Sequence, residues 1–428
     1  MKITHVYGQV SIIVFIICLS FIGISLPYPI FAPLILNNDS SIVNSILLQH
    51  FTKPVLLAIL LAAYPLGQFV GLPILGNLSD IIGRKKGLII TLAGTSLGYL
   101  ISGFAIIYHQ YVILLLSRLW TGLCEGNFAI AQAAMGDLSN QINKVKCFGW
   151  LNGGIALGYI IGPLLGGITA EKQIVYWFNY SLPFFLAMGL AIFACFIVFV
   201  YLQETYEVKQ NFSDKMFIYH IKKACIGFLR DSNKIFKAPH ISKPLIVFIL
   251  FYIGIDLFYE FYPFYFVGRW QFSFLDIALF SAFYTTAYAI SQLVFVPKLS
   301  TIFKPCQILT FIGLACGTTL ILMILPKNYS SLYITLPILG ILISFCSTNV
   351  AVSLSNATSI NEQGSVFGTA QALRVLSDTI FTLIAGKLAV FSIAVPIVLG
   401  ACFIILTSAS LFFVECGTNT GISKNLNN

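Results

Sequence analysis

The chain has 428 residues, of which 9% are charged and 58% apolar before its 33 glycines are counted, and its formal charge is +9. A soluble domain carries roughly 25% charged residues, so this chain cannot cover a water-facing surface, and a soluble enzyme and a disordered chain are both excluded. Its surface must face lipid, crossed by helical runs of about 20 apolar residues at 1.5 Å per residue.

The first run is Val10–Leu36. Only Lys2 and His5 precede it among polar ionisable residues, and no small-residue cleavage pattern follows, so it reads as a retained span. Pro54–Leu75 comes next and leads into Gly76-Asn77-Leu78-Ser79-Asp80-Ile81-Ile82-Gly83-Arg84-Lys85-Lys86, placed in a tight loop before Leu88–Tyr108. Tyr111–Gln132 holds Arg118-Leu119-Trp120-Thr121-Gly122 and Glu125, with Asp137 19 residues beyond Arg118. Cys147–Thr169 holds Gly158-Tyr159-Ile160-Ile161-Gly162-Pro163-Leu164-Leu165-Gly166-Gly167, and Tyr180–Leu202 ends the first half.

A polar stretch, Gln203–Lys243, separates this half from six further runs: Pro244–Val267, Leu275–Pro297, Ile308–Leu325, Ser330–Val352, Ser365–Lys387 and Val395–Val414. Runs this long are helices, because a lone strand leaves its backbone unsatisfied in lipid, and the strict alternation of a barrel is absent. Within the stretch, Phe217, Ile221, Ala224, Cys225 and Phe228 follow helical spacing beside Lys222, Lys223 and Arg230. An amphipathic helix on the membrane surface is expected there.

With the N-terminus inside, 17 Lys and Arg fall in inner segments and 5 in outer loops. That bias places both termini in the cytoplasm and makes the net charge a topology signal rather than a nucleic-acid footprint. The halves echo each other at offsets near 220: Gly76–Asp80 against Pro297–Thr301, and Gly149–Gly167 against Gly368–Gly386. Such similarity indicates parallel repeats. The expected architecture is an all-α membrane protein of twelve spans in two pseudo-symmetric six-helix bundles. Residues 1–202 and 244–428 form the bundles, and 203–243 form a cytoplasmic linker.

Two motifs carry physical content. Glycines in the Gly76–Lys86 segment permit a sharp turn, and Asp80 and Arg84 can latch helix ends through charge-assisted hydrogen bonds. Gly158, Gly162 and Gly166 share one helix face and allow close helix approach, with Pro163 loosening the ladder. Ten cysteines without a CxxC pair, and no HExxH motif, leave no indicated metal site or disulfide framework.

On these motifs the sequence resembles the major facilitator superfamily, whose loop signature is G-x-L-[SA]-D-x-x-G-R-[KR]-[KR]. Arg118 to Gly122 resembles its R-x-x-x-G motif. Gly158 to Gly167 resembles the G-x-x-x-G-P-x-x-G-G signature of proton-coupled antiporters, the 12-span branch that includes tetracycline exporters. Two departures stand out. Glu125 occupies a position where related exporters carry a small residue, and the second loop copy has Thr301 and Pro305 in place of the acid and the arginine.

Six charged residues lie near mid-span: Arg118, Glu125, Asp256, Glu260, Arg374 and Asp378. Each costs at least about 2.5–3.5 kcal/mol there unless it is paired or hydrated. Asp256 and Glu260 are like charges one turn apart and resist simultaneous ionisation. Arg374 and Asp378, at the same spacing, are a candidate ion pair. Four acids against two bases leave carboxylates free to carry protons. The aromatic run Phe258–Phe266 surrounds Glu260, part of it expected to face lipid and part to line a cavity.

The resemblance implies proton-coupled efflux of a drug-like or small organic metabolite by alternating access through a central cavity. Gly76, Asp80, Gly83, Arg84 and Lys85 would form the cytoplasmic gate; Gly158, Gly162, Pro163, Gly166 and Gly167 would seal the interface. The remaining expectations are a small-molecule substrate, a lipid environment in a bacterial inner membrane, a monomer, no nucleic acid, no enzyme activity and no cofactor beyond a proton gradient. The alternative is a proton symporter importing a nutrient, which Glu125 as a ligand-binding charge would suit.

Overall fold

Helices with apolar residues on every side are stable only where lipid or other helices surround them. The computed structural model describes residues 3–36, 42, 50–138, 144–205, 237–299, 302–358 and 363–418, and among these the elements are helical with no strand. In chain order they are α1 (Ile3–Ser25), α2 (Tyr28–Leu36), α3 (Lys53–Ile82), α4 (Arg84–Ile107), α5 (Tyr111–Cys124), α6 (Asn127–Leu138), α7 (Lys144–Ala170) and α8 (Leu182–Tyr201). Then come α9 (Pro239–Trp270), α10 (Phe274–Ile290) with a π turn at Ser291–Phe295, α11 (Val296–Leu299), α12 (Pro305–Ile324), α13 (Leu332–Asn356), α14 (Gln363–Leu388) and α15 (Val395–Thr418). The amphipathic stretch expected after Thr205 lies outside the described residues, as do Ser300 and Thr301.

Nine helical segments among the described residues are long and apolar enough to cross a membrane. They coincide with nine of the expected runs. The runs expected at 111–132, 365–387 and 395–414 correspond to α5 with α6, to α14 and to α15.

The described chain divides into two compact units. One holds the helices through α8 together with residues 266–282; the other holds 237–265 and 283–418. In the first, α1 packs along α7, α3 along α5, and α4 against both α5 and α8. Small residues make this possible: a Cβ on Gly67 of α3 would lie 2.7 Å from the Leu123 backbone nitrogen of α5. The core between α1, α4, α6 and α8 is built from Ile13, Ile17, Leu88, Ile130, Met135 and Val198. In the second unit α12 packs on α13 and α15. Gln292 in the π turn donates to Thr348 Oγ1 of α13 at 2.8 Å.

Three local expectations change. The fourth span is not one helix: it breaks between Cys124 and Asn127, at Glu125-Gly126. Gly126 sits against Leu75, where a Cβ would come within 2.6 Å of the leucine Cβ. The freed amides turn back locally, Glu125 N–H to Gly122 O at 3.1 Å and Gly126 N–H to Cys124 O at 2.8 Å. Glu125, Gly126 and Asn127 are all buried, the condition under which non-helical backbone is tolerated at membrane depth.

The Gly76–Lys86 motif is also not a loop. α3 continues through Gly76 and Asp80 to Ile82, α4 starts at Arg84, and Gly83 alone separates them. Finally, none of the aromatics in Phe258–Phe266 lies open to lipid. Phe258, Phe261, Tyr262, Phe264, Tyr265 and Phe266 are buried, and Tyr259 is half-buried. α9 is among the most enclosed of the long helices, so its rings pack on neighbouring helices rather than on acyl chains.

Candidate functional site

The single-residue turn at Gly83 has φ 98°, a conformation open to glycine and strained for other residues. The place a side chain would take there is occupied by Glu204, just beyond α8. That carboxylate accepts from the backbone N–H of Arg84 at 2.7 Å and of Lys85 at 3.2 Å. It thereby satisfies two of the unbonded amides that open α4, where the helix dipole favours negative charge. A Cβ on Gly83 would collide with the same carboxylate.

Arg84 is the hub of this cluster. Its guanidinium pairs with Asp80 at 2.5 Å and Asp137 at 3.2 Å, and donates to Ser79 Oγ at 2.7 Å. Thr205 Oγ1 adds a longer contact to Asp137 at 3.4 Å. One buried arginine thus ties the ends of α3, α4 and α6 to the chain leaving α8. Lys85 contributes its backbone amide, while its ammonium lies 5.9 Å from the Phe199 ring centre. Gly76 has open space where a Cβ would be, so close packing does not account for this glycine. Glu204 and Thr205 escaped the sequence analysis because an acid after a span reads as linker; only the proximity of α8's end to α4's start reveals their work.

The glycine row of α7 is used within the first unit. A Cβ on Gly158 would lie 2.6 Å from Phe21 Cβ, one on Gly162 2.7 Å from Ile22 O, and one on Gly166 2.9 Å from the Leu26 carbonyl carbon. All three face α1 and the residues after it. Ser25 Oγ fastens the contact by donating to Gly158 O at 3.1 Å. Gly167 faces α10 instead, where a Cβ would lie 2.8 Å from Phe274 O. Pro163 is buried inside α7, which runs through it uninterrupted.

Arg118 and Glu125 are both buried, at 4% and 3% exposure, yet no ion pair joins them to each other or to another described residue. Arg118 instead lies over two rings, 4.6 Å from the Tyr64 centre and 5.1 Å from that of Phe31. Its Nε and Nη1 have no hydrogen-bond partner. Tyr64 and Asn127 hydrogen-bond towards the Glu125 carboxylate, and Gln68 in turn donates to the Tyr64 hydroxyl at 3.2 Å. Oε2 of Glu125 remains without a partner.

The second unit handles its charges differently. Arg374 reaches Asp256 with two parallel bonds, Nε to Oδ2 at 2.9 Å and Nη2 to Oδ1 at 2.8 Å, and lies 4.1 Å from the Tyr252 ring centre. The i, i+4 pairing of Arg374 with Asp378 is therefore replaced by a pairing across helices. This bidentate geometry is the strong form of an arginine–carboxylate contact. Glu260 and Asp378 meet through Thr382, whose hydroxyl contacts Glu260 Oε2 closely and Asp378 Oδ1 at 3.4 Å. Neither acid forms an ion pair among the described residues. Beside them the Tyr284 hydroxyl donates to that of Tyr259 at 2.8 Å.

Residues 13–382 match the family model described as Major Facilitator Superfamily. The chain belongs to this superfamily. It is a multi-pass membrane protein. A class B tetracycline resistance protein of Escherichia coli is 29% identical over 244 residues, 57% of this chain. The chain spans about half of that relative, 54% of its length. The quinolone resistance protein NorA of Staphylococcus aureus is 25% identical over 390 residues, covering 91% of this chain and 92% of NorA. Among solved structures, a D-xylose–proton symporter superposes with TM-score 0.76 at 12% identity, covering 95% of this chain and 97% of its own. At that identity the likeness is one of fold. The facilitator architecture thus accounts for the helix order.

Proposed function

We propose that this transporter couples inward proton movement to the export of a drug-like or small organic compound, by alternating access between two six-helix bundles with both termini in the cytoplasm. Tetracyclines and quinolones, the compound classes in the relatives' names, are the first substrates to try. The observation that carries the coupling is the acid–base arrangement of the second unit. Three acids share one arginine, which is committed to Asp256 with both carboxylate oxygens occupied. Glu260 and Asp378, bridged by Thr382, then share a site in which neither forms an ion pair with a described cation, the nearby Arg374 being bonded to Asp256. Two carboxylates placed so resist simultaneous ionisation, which is the requirement for a proton carrier. Glu125 is the corresponding acid of the first unit, supplied with donors by Tyr64 and Asn127.

In this reading Asp80, Arg84, Asp137 and Glu204 latch the cytoplasmic helix ends, and α7 with Gly167 on α10 forms a seal. Direction is tested with proteoliposomes of known orientation, an imposed pH gradient, and labelled tetracycline or a fluoroquinolone as probe. Export predicts accumulation in the compartment from which protons leave. Accumulation on the side that protons enter reverses the direction in favour of symport. Orientation is tested with Tyr176→Cys in a cysteine-free background. Tyr176 is 91% exposed, and this position should react with impermeant thiol reagents in whole cells.

A further inference from the structure

The break after α5 opens a chamber inside the first unit that the cluster around Arg118 does not use. It has room for about one water-sized guest. Its wall comes from Ser20 and Gly23 of α1, Thr95 and Tyr99 of α4, Ala187 and Ala191 of α8, and Glu125 with Asn127 at the break.

Two polar atoms of this wall have no hydrogen-bond partner: Ser20 Oγ and Glu125 Oε2. Both residues are more than nine-tenths buried, at 8% and 3% exposure. Leaving such atoms unsatisfied costs about 1–3 kcal/mol each. Glu125 Oε2, which neither Tyr64 nor Asn127 engages, is the oxygen available to a guest. Thr95 donates its own proton to Leu92 O at 3.0 Å, which leaves its oxygen as an acceptor. The wall therefore offers a carboxylate oxygen, hydroxyl acceptors and the uncommitted hydroxyl donor of Ser20. A water molecule needs two to four such partners. The charged and titratable groups around Glu125 are Arg118 and Cys124 from α5, Tyr64 from α3 and Tyr99 from α4. The positive charge of Arg118 disfavours a metal cation here and is compatible with a neutral guest.

We propose that this chamber is a water site through which Glu125 exchanges its proton, by way of Ser20. The inference rests on the reading of Glu125 as a proton carrier and adds the route by which that proton moves. Gly23 is part of the design. A Cβ there would meet Tyr99 and Ala187 at 3.7–3.8 Å, ordinary contact distances, so a methyl group fits without strain and takes up chamber space.

The test uses the purified full chain in lipid vesicles, followed by infrared spectroscopy across a pH titration and during exchange into deuterium oxide. The carboxyl band that disappears in Glu125→Gln belongs to this residue. Ser20→Ala, which removes the uncommitted donor, and Gly23→Ala, which fills the space, should each slow its deuteration about tenfold, equivalent to ~1.4 kcal/mol. Thr95→Val should slow it less. Wild-type exchange rates in both Ser20→Ala and Gly23→Ala overturn the water route while leaving Glu125 a carrier. No band lost in Glu125→Gln at any pH overturns the carrier reading of this residue and the route with it.

Discussion

The two units hold similar charges in opposite ways. In the second, Arg374 and Asp256 meet in a bidentate pair, and the surplus acids are gathered around one hydroxyl. In the first, Arg118 and Glu125 lie within two turns of each other in sequence, yet the arginine rests on aromatic rings and each residue keeps an unpartnered polar atom. A buried pair with satisfied geometry is a fixed structural element, costly to break from one side. Buried charges without mutual contact keep their options open for a proton, a water or a substrate. Membership of one superfamily does not dictate which arrangement a bundle adopts; the facing of particular helices does.

The comparison breaks first at Arg374. Arg374→Ala leaves Asp256 buried without its partner, at a cost of about 3 kcal/mol, near the lower end of the range because the arginine is partly exposed. The thermal midpoint in detergent should fall clearly, and Asp256→Ala in the same chain should restore much of it. Arg374→Lys should recover little, because an ammonium cannot make the two parallel bonds. Next is the Gly83 turn. Glu204→Ala removes the acceptor for two opening amides of α4 and should cost about 1–2 kcal/mol. Gly83→Ala should be at least as damaging, because it adds backbone strain at φ 98° and displaces the carboxylate. The smallest stability change is expected at Arg118. With no ion pair to lose, Arg118→Met should leave the midpoint within about 1 kcal/mol or raise it, while transport falls. A large destabilisation at Arg118 would mean that the two units treat their arginines alike.

Much of the fold was legible in the sequence, because a span's length and apolar character are local properties. Pro54–Leu75 lies within α3, and Leu88–Tyr108 matches α4 to one residue at its end. The break at Glu125-Gly126 was not legible, because hydropathy averages over it; a glycine beside a buried acid was the available signal. The site was legible as residues and not as pairs. Arg374 has an acid one turn along its own helix, yet it chooses Asp256, 118 positions away in the chain. That choice depends on which faces α9 and α14 turn to each other. Spacing along either helix does not contain it. Glu204 shows the same limit at the turn, and its reach to Arg84 spans 120 positions.

The central claim is that Glu260, with Asp378, carries the proton while Asp256 is held by its arginine. The direct measurement is transport by Glu260→Gln in proteoliposomes, with and without an imposed pH gradient. Gradient-driven accumulation should fall at least tenfold, ~1.4 kcal/mol or more in driving free energy, while substrate exchange without a gradient continues near the wild-type rate. A Glu260→Gln protein that still concentrates substrate normally against its gradient would contradict the account and leave these acids as structural partners.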